Sequence, residues 1–208
     1  MPPAARGRPR TFDPAVALEK ATGVFLRKGY DATSLDDLTA AMGINRPSLY
    51  AAFGNKADLY AAALKHYATQ GTAQDLGALD GDHVIEGAQN MLRALAKKMS
   101  GGCEGCLVTA SAIQCGRAAD AADPLIEDAT RAVVAQIVAG LEKAFSRART
   151  RGTLNDTIPP RALAHYIGGL TQGITTYART SGDPKATLAM AETACVFLES
   201  LRATPTRR

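Results

Sequence analysis

The chain has 208 residues, of which 46% are apolar and 5% aromatic, with no Trp and a formal charge of +4. No apolar run approaches the roughly 18 residues of a membrane span and no leader-like stretch opens the chain, so a cytoplasmic protein with reduced cysteines is expected. Abundant Ala and few aromatic residues favour packed helices over a sheet, and so modest a charge establishes no nucleic-acid partner by its size alone.

The distribution of charge says more. Residues 1–10 carry Arg6, Arg8 and Arg10 and no acid. Interleaved Gly and Pro keep this arm from being helical. An extended basic arm is either a solubilising tail or a minor-groove contact, since arginine responds to the negative potential there. Asp13-Pro14 then starts a helix, with a capping acceptor followed by proline at the first position. Its apolar residues Ala17, Ala21 and Val24/Phe25 share a face, and the helix stops at Gly29.

Residues 33–56 read as two short helices around a tight turn. Thr33 and Asp36 fit a capping box that would begin a helix at Ser34. Leu35, Leu38 and Met42 lie on one face, and Gly43 suits a left-handed helix end. Asn45 is placed to cap the next helix, and Pro47 is tolerated in its first turn. A pair of this length is either an ordinary helical hairpin or a helix-turn-helix, whose second helix enters the major groove N-terminus first. Arg46, Pro47, Ser48 and Tyr50 would then lie nearest the DNA.

The residues Thr33-Ser34, Asp37-Leu38, Ala41, Gly43-Ile44, Ser48-Leu49-Tyr50, Phe53 and Lys56 resemble the signature of the TetR family of bacterial repressors. The resemblance implies an all-α protein of about nine helices: an N-terminal three-helix DNA-binding domain and a larger C-terminal helical domain for ligand sensing and dimerisation. The expected layout is a basic arm at 1–10, the helix-turn-helix domain at 11–54, a connecting helix at 55–70 and the regulatory domain at 71–208. Phosphate contacts are expected from Thr33, Tyr50 and Lys56. Base reading falls to Arg46 with Ser48, and to Asn45 or Pro47, although Arg46 serves equally well as a backbone contact.

Beyond a Gly-, Asp- and Ala-rich boundary at 71–81, Ile85, Ala88, Leu92, Leu95 and Met99 mark one amphipathic helix. A short apolar helix follows from 107 to 116, and Asp123-Pro124 opens a long one ending at Gly152. In the next helix Leu163, Ile167, Leu170, Ile174 and Tyr177 form a stripe beside Gly168, Gly169 and Gly173, glycines that suggest close approach of another helix. Asp183-Pro184 begins the last helix, whose apolar face is wide enough for two contacts. The expectation is a two-fold homodimer through these last two helices, reading a palindromic double-stranded operator.

The stretch 101–115 holds Cys103, Cys106 and Cys115. Cys106 falls at a helix N-terminus, where the dipole favours thiolate. Gly105-Cys106-Leu107 is similar to the segment of TetR-family repressors that respond to N-ethylmaleimide and related electrophiles, which implies Cys106 as sensor with Cys103 or Cys115 as resolving partner. The other reading is plain packing of small apolar thiols. Cysteine-bound metal needs a second pair or added histidines, and His66, His83 and His165 have no such spacing, so neither metal nor cofactor is expected. If the cysteines are bystanders, an unknown small apolar effector would bind between helices near Met91, Leu95, Val108, Phe145 and Tyr166. No phosphate loop, G-x-S-x-G or H-E-x-x-H supports an enzyme.

Overall fold

The computed structural model describes residues 12–77, 79, 83–101, 105–115 and 123–203, apart from the side chains of 72–76 and 113–115. Among the described residues there are nine helices: α1 (Pro14–Lys28), α2 (Leu35–Met42), α3 (Arg46–Phe53), α4 (Lys56–Gly77), α5 (Val84–Ser100), α6 (Leu107–Cys115), α7 (Pro124–Thr150), α8 (Pro160–Ser181) and α9 (Pro184–Ser200).

The Asp-Pro pairs act as helix starts. Asp13 accepts from Ala15 N at 2.8 Å, Asp123 from Leu125 N at 3.0 Å, and Asp183 from Lys185 N at 2.9 Å. Each cap of this kind is worth about 1 kcal/mol. The cap of α2 lies one residue later than the sequence reading placed it. Ser34 accepts from Asp37 N, and Asp37 accepts from Ser34 N, both at 3.0 Å. Thr33 is excluded from the capping role because its hydroxyl turns inward and donates to Gly29 O at 2.5 Å.

α4 also departs from expectation, running unbroken to Gly77 through the stretch taken as a boundary. Gly71 costs about 1 kcal/mol of helix propensity, yet the helix is continuous because its preceding turns are anchored on α1 and α7. The head therefore joins the rest through one continuous helix, and a shared core reinforces the joint. Phe25, Leu38, Leu49, Leu59, Tyr60 and Leu64 cluster with Leu107 of α6 and with Ile126 and Val133 of α7. A second cluster, around Leu92, Phe145, Leu163, Ile167 and Leu198, holds α5, α7, α8 and α9 together. Gln89 donates to Cys195 O at 2.9 Å, and Arg93 pairs twice with Glu192 at 2.8 and 2.9 Å, pinning α5 to α9.

The three α8 glycines do different jobs. A Cβ on Gly168 would sit 3.5 Å from Val138 Cγ2, so there α7 and α8 approach closely. Gly169 and Gly173 meet nothing within 4 Å and face outward. On the same outer side lie exposed Tyr166 and Tyr177, while α9 exposes Leu188 and, at 74%, Val196. Among the described residues, no helix is long and apolar enough to cross a membrane.

Candidate DNA-reading head and effector cavity

The turn between α2 and α3 is set by Gly43, whose φ of 71° and ψ of 31° are left-handed. The chain reverses there with Gly43 N and Ile44 N both donating to Thr39 O. Half-buried Ile44 pins the turn against the head core, and Leu49, fully buried, fixes the inner face of α3. The outer side of its first turn is left to Arg46, Pro47 and Tyr50, all exposed, with Ser48 half-buried beside them.

Several of these side chains are already engaged. Asn45 Oδ1 accepts from Ser48 N at 2.9 Å, so its oxygen caps α3 and only its amide donors remain for a base edge. Arg46 reaches back to α2, placing Nε at 3.2 Å and Nη2 at 2.8 Å from Asp36 Oδ1. That partner lies ten residues upstream on another helix, and nothing in the local sequence announced it. A parallel tie joins α1 to α2, with Lys28 Nζ 2.6 Å from Asp37 Oδ1. Lys28 and then the Ser34 amide hold the Asp37 carboxyl down at about 2.

Lys56 does begin α4, but its ammonium sits 4.4 Å over the ring of Tyr30. Burial first, then Asp123 and Asp31, raises the Tyr30 phenol above its ordinary value. Thr33 is 1% exposed with its hydroxyl spent on Gly29 O, so the expected phosphate contact from its side chain is corrected: Thr33 joins α1 to α2 from inside. Arg6, Arg8 and Arg10 lie outside the described residues.

Behind the head, α4, α5, α6, α7 and α8 surround a cavity of about 570 Å³. Met91, Leu95 and Val108 are among its lining residues, together with Ile137, Leu141, Thr109, Gln172 and Lys98. Two expected lining residues are elsewhere. Phe145 is fully buried in the α5–α9 core. Tyr166 is on the outer face of α8, edge-on to Phe197 with centroids 5.0 Å apart. Helical spacing shows which residues share a face, not whether that face meets a core, a cavity or solvent, and both misplacements follow from that. A more open hollow of about 630 Å³ lies across the α7 wall, lined by Ala135, Ala139, Glu142, Arg161 and His165.

Cys106 is half-buried at the start of α6, where its carbonyl accepts from Ala110 N at 2.9 Å, and it forms part of the wall of the smaller cavity. Cys103 lies outside the described residues, as does the side chain of Cys115. Cys195, on α9, is buried with its sulfur 3.8 Å from Gln89 O, and burial pushes its thiol up. Among the described residues, no three His, Cys, Asp or Glu side chains gather as a metal set would.

The sequence reading missed the junction between head and cavity. Tyr60 of α4 is fully buried, with its ring edge-on to Phe25 at 4.9 Å and to Tyr30 at 5.1 Å. Its hydroxyl lies 2.8 Å from Ser111 Oγ of α6. Ser111 already donates to Leu107 O, so Tyr60 is the donor between them. One hydrogen bond thus links the helix that Cys106 opens to the aromatic cluster under Lys56.

Comparison with known proteins places this arrangement. The profile of bacterial regulatory proteins of the tetR family matches residues 17–63, and that of the tetracyclin repressor-like C-terminal domain matches residues 83–194. The transcriptional repressor BdcR of Escherichia coli (strain K12) is 41% identical over 105 residues, covering 49% of this chain and 53% of BdcR. The repressor ComR of the same organism is 51% identical over 63 residues, 30% of each chain. The chain thus spans about half the length of BdcR and less of ComR. Over the full fold, it superposes on a cysteine-substituted form of the regulator CifR, complexed with a 26-bp double-strand operator DNA, with a TM-score of 0.78 and 30% identity, covering 91% of this chain and 98% of that one. The reduced form of E. coli NemR shares the fold at a TM-score of 0.72 and 19% identity, covering 93% and 98%. With both halves matched in order along one chain, the protein belongs to the tetR family of bacterial regulatory proteins.

Proposed function

We propose that this tetR-family regulator is a repressor that grips a palindromic operator as a homodimer and releases it when a small effector occupies the α4–α8 cavity. The observation that carries this is the first turn of α3, held by a buried Leu49 so that Arg46, Pro47 and Tyr50 project together from the head. Arg46 and Ser48 read base edges, Tyr50 and Lys56 hold phosphate, and the arginines at 6, 8 and 10 follow the adjoining minor groove. The outward side of α8 and α9 seats the second copy. Gly169 and Gly173 bare the α8 backbone between Tyr166 and Tyr177, which allows two helices to approach closely in a four-helix bundle. Two heads then meet major grooves one helical turn apart.

A gel-shift titration on the DNA flanking the gene tests this. The expected result is a dimer-sized complex on one palindromic stretch whose affinity falls steeply with salt; equal affinity for all sequences would refute it.

A second reading of release, thiol modification, gains support because Cys106 lies on the wall of the same cavity. A molecule entering the cavity comes up against Cys106. With Cys106→Ser, N-ethylmaleimide should no longer weaken operator binding, whereas the unsubstituted protein should lose roughly tenfold, about 1.4 kcal/mol of the kind of coupling typical between two sites. Equal release from both proteins eliminates Cys106 as the sensor.

A further inference from the structure

We infer that the α4–α8 cavity selects an apolar effector bearing an anionic head, of which a monocarboxylate is the simplest, and rejects cations of the same size. This rests on the cavity being the effector site and specifies what that site takes.

Charge is the first observation. Among the described residues lining the cavity there is no Asp or Glu, and the one ionised side chain is Lys98 of α5. Among the described residues Lys98 makes no ion pair. An ammonium ligand would meet no counter-charge here and a repelling one at Lys98.

The second is an unspent donor. Thr109 lines the cavity, and its buried Oγ1 has no hydrogen-bond partner among the described residues. Its position explains this. Thr171 and Thr175, also on the wall, donate into their own helix at 2.8 Å, to Gly168 O and Thr171 O. Thr109 is the third residue of α6, so the carbonyl four residues back belongs to Gly105, outside the helix. A buried polar group left without a partner calls for a ligand or an equivalent explanation.

The third is the helix end itself. Cys106, Val108 and Thr109 put the first turn of α6 on the wall, and the first N–H groups of a helix lack intrahelical partners and favour an anion. A guanidinium backs this turn. Gly105 has a φ of 110°, and a Cβ there would stand 2.8 Å from Arg179 Nη1 of α8. A glycine is what lets that positive group lie against the entrance of α6. Met91, Leu95, Ile137 and Leu141 of the same lining supply apolar surface for the body of the ligand, and the volume suits a molecule of drug size.

The test compares ligands that differ only at the head: decanoate, decanamide and decylammonium below their micelle-forming concentrations, with naphthoate and naphthamide as rigid counterparts. Binding is read by thermal shift and by release of fluorescent operator DNA. The carboxylates should bind roughly tenfold more tightly than the amides, with decylammonium weakest, a preference of the size that a lysine and a helix end supply together. Lys98→Gln should shrink the carboxylate preference severalfold, and Thr109→Val should weaken every head that accepts a hydrogen bond, the carboxylates most. Amides binding as well as carboxylates, or a preference unmoved by both substitutions, overturns the anionic assignment and leaves the cavity as effector site. If none of the five binds a protein that still holds its operator, the effector-site reading itself falls.

Discussion

Tyr60→Ala is expected to lower the free energy of unfolding by about 3–5 kcal/mol, the range for truncating a fully buried aromatic residue. Tyr60 is 0% exposed and both Phe25 and Tyr30 lean edge-on against its ring, so the cavity left behind is walled by groups that are themselves fixed. Natural domains hold only about 5–15 kcal/mol in reserve. A single substitution therefore removes a large share, and urea denaturation followed by circular dichroism would show it; a loss below about 1 kcal/mol would mean that the core collapses around the gap. Ser111 contributes little to this cost because it retains its bond to Leu107 O at 2.7 Å. Tyr60→Phe separates packing from linkage. The rings stay, the hydroxyl goes, and stability falls by only about 1 kcal/mol. What should change is the communication between α6 and α4. In the release mechanism proposed above, effector and operator bias the same two arrangements of the head. Removing the α4–α6 hydrogen bond should therefore reduce the effector-dependent change in operator affinity while leaving affinity without effector near its starting value. Unchanged coupling in Tyr60→Phe would locate the transmission in the apolar contacts of Leu107 and Val108 with the head.

The elements were legible where the signal was local. Asp13, Asn45, Asp123 and Asp183 each cap a helix within three residues of themselves, and the left-handed Gly43 ends α2 as its position demanded. Where two adjacent residues offered the same chemistry, local reading slipped. Thr33 and Ser34 both suit a cap, and what chose between them was Gly29 O, a carbonyl in the preceding turn that draws Thr33 inward. The end of α4 lies beyond residue 70 for a related reason, because propensity at Gly71 is weak against a helix anchored upstream on α1 and α7. The long-range partners were not legible at all. Asp36 with Arg46, Tyr60 with Ser111 and Arg179 against Gly105 are brought together by packing between helices, and each residue taken alone reads as an ordinary surface or core position. The cavity was half legible: Met91, Leu95 and Val108 face it, whereas Phe145 and Tyr166, equally well spaced, turn into the core and out to solvent.

Arg46→Ala should weaken operator binding by about tenfold to a hundredfold, the 1–3 kcal/mol that a bidentate arginine contact to guanine contributes. Its bond to Asp36 does not stand in the way. Both side chains are more than half exposed, at 55% and 76%, and an ion pair so well solvated is worth no more than about 1 kcal/mol. The pair does aim the guanidinium. With Nε and Nη2 both on Asp36 Oδ1, Nη1 is the guanidinium nitrogen that this pair leaves unused. Asp36→Ala should therefore act in the opposite sense on the two kinds of DNA. Losing a carboxylate near the phosphates strengthens binding to scrambled duplex, and losing the brace on Arg46 weakens binding to operator, so the ratio between them narrows from both ends. Paired titrations of operator and scrambled duplex, repeated at two salt concentrations, distinguish the roles of Arg46. A base reader costs operator affinity and spares scrambled DNA. An Arg46→Ala protein that loses equally on both, with a shallower dependence on salt, would make this side chain a phosphate contact and leave sequence reading to Ser48 and the amide of Asn45.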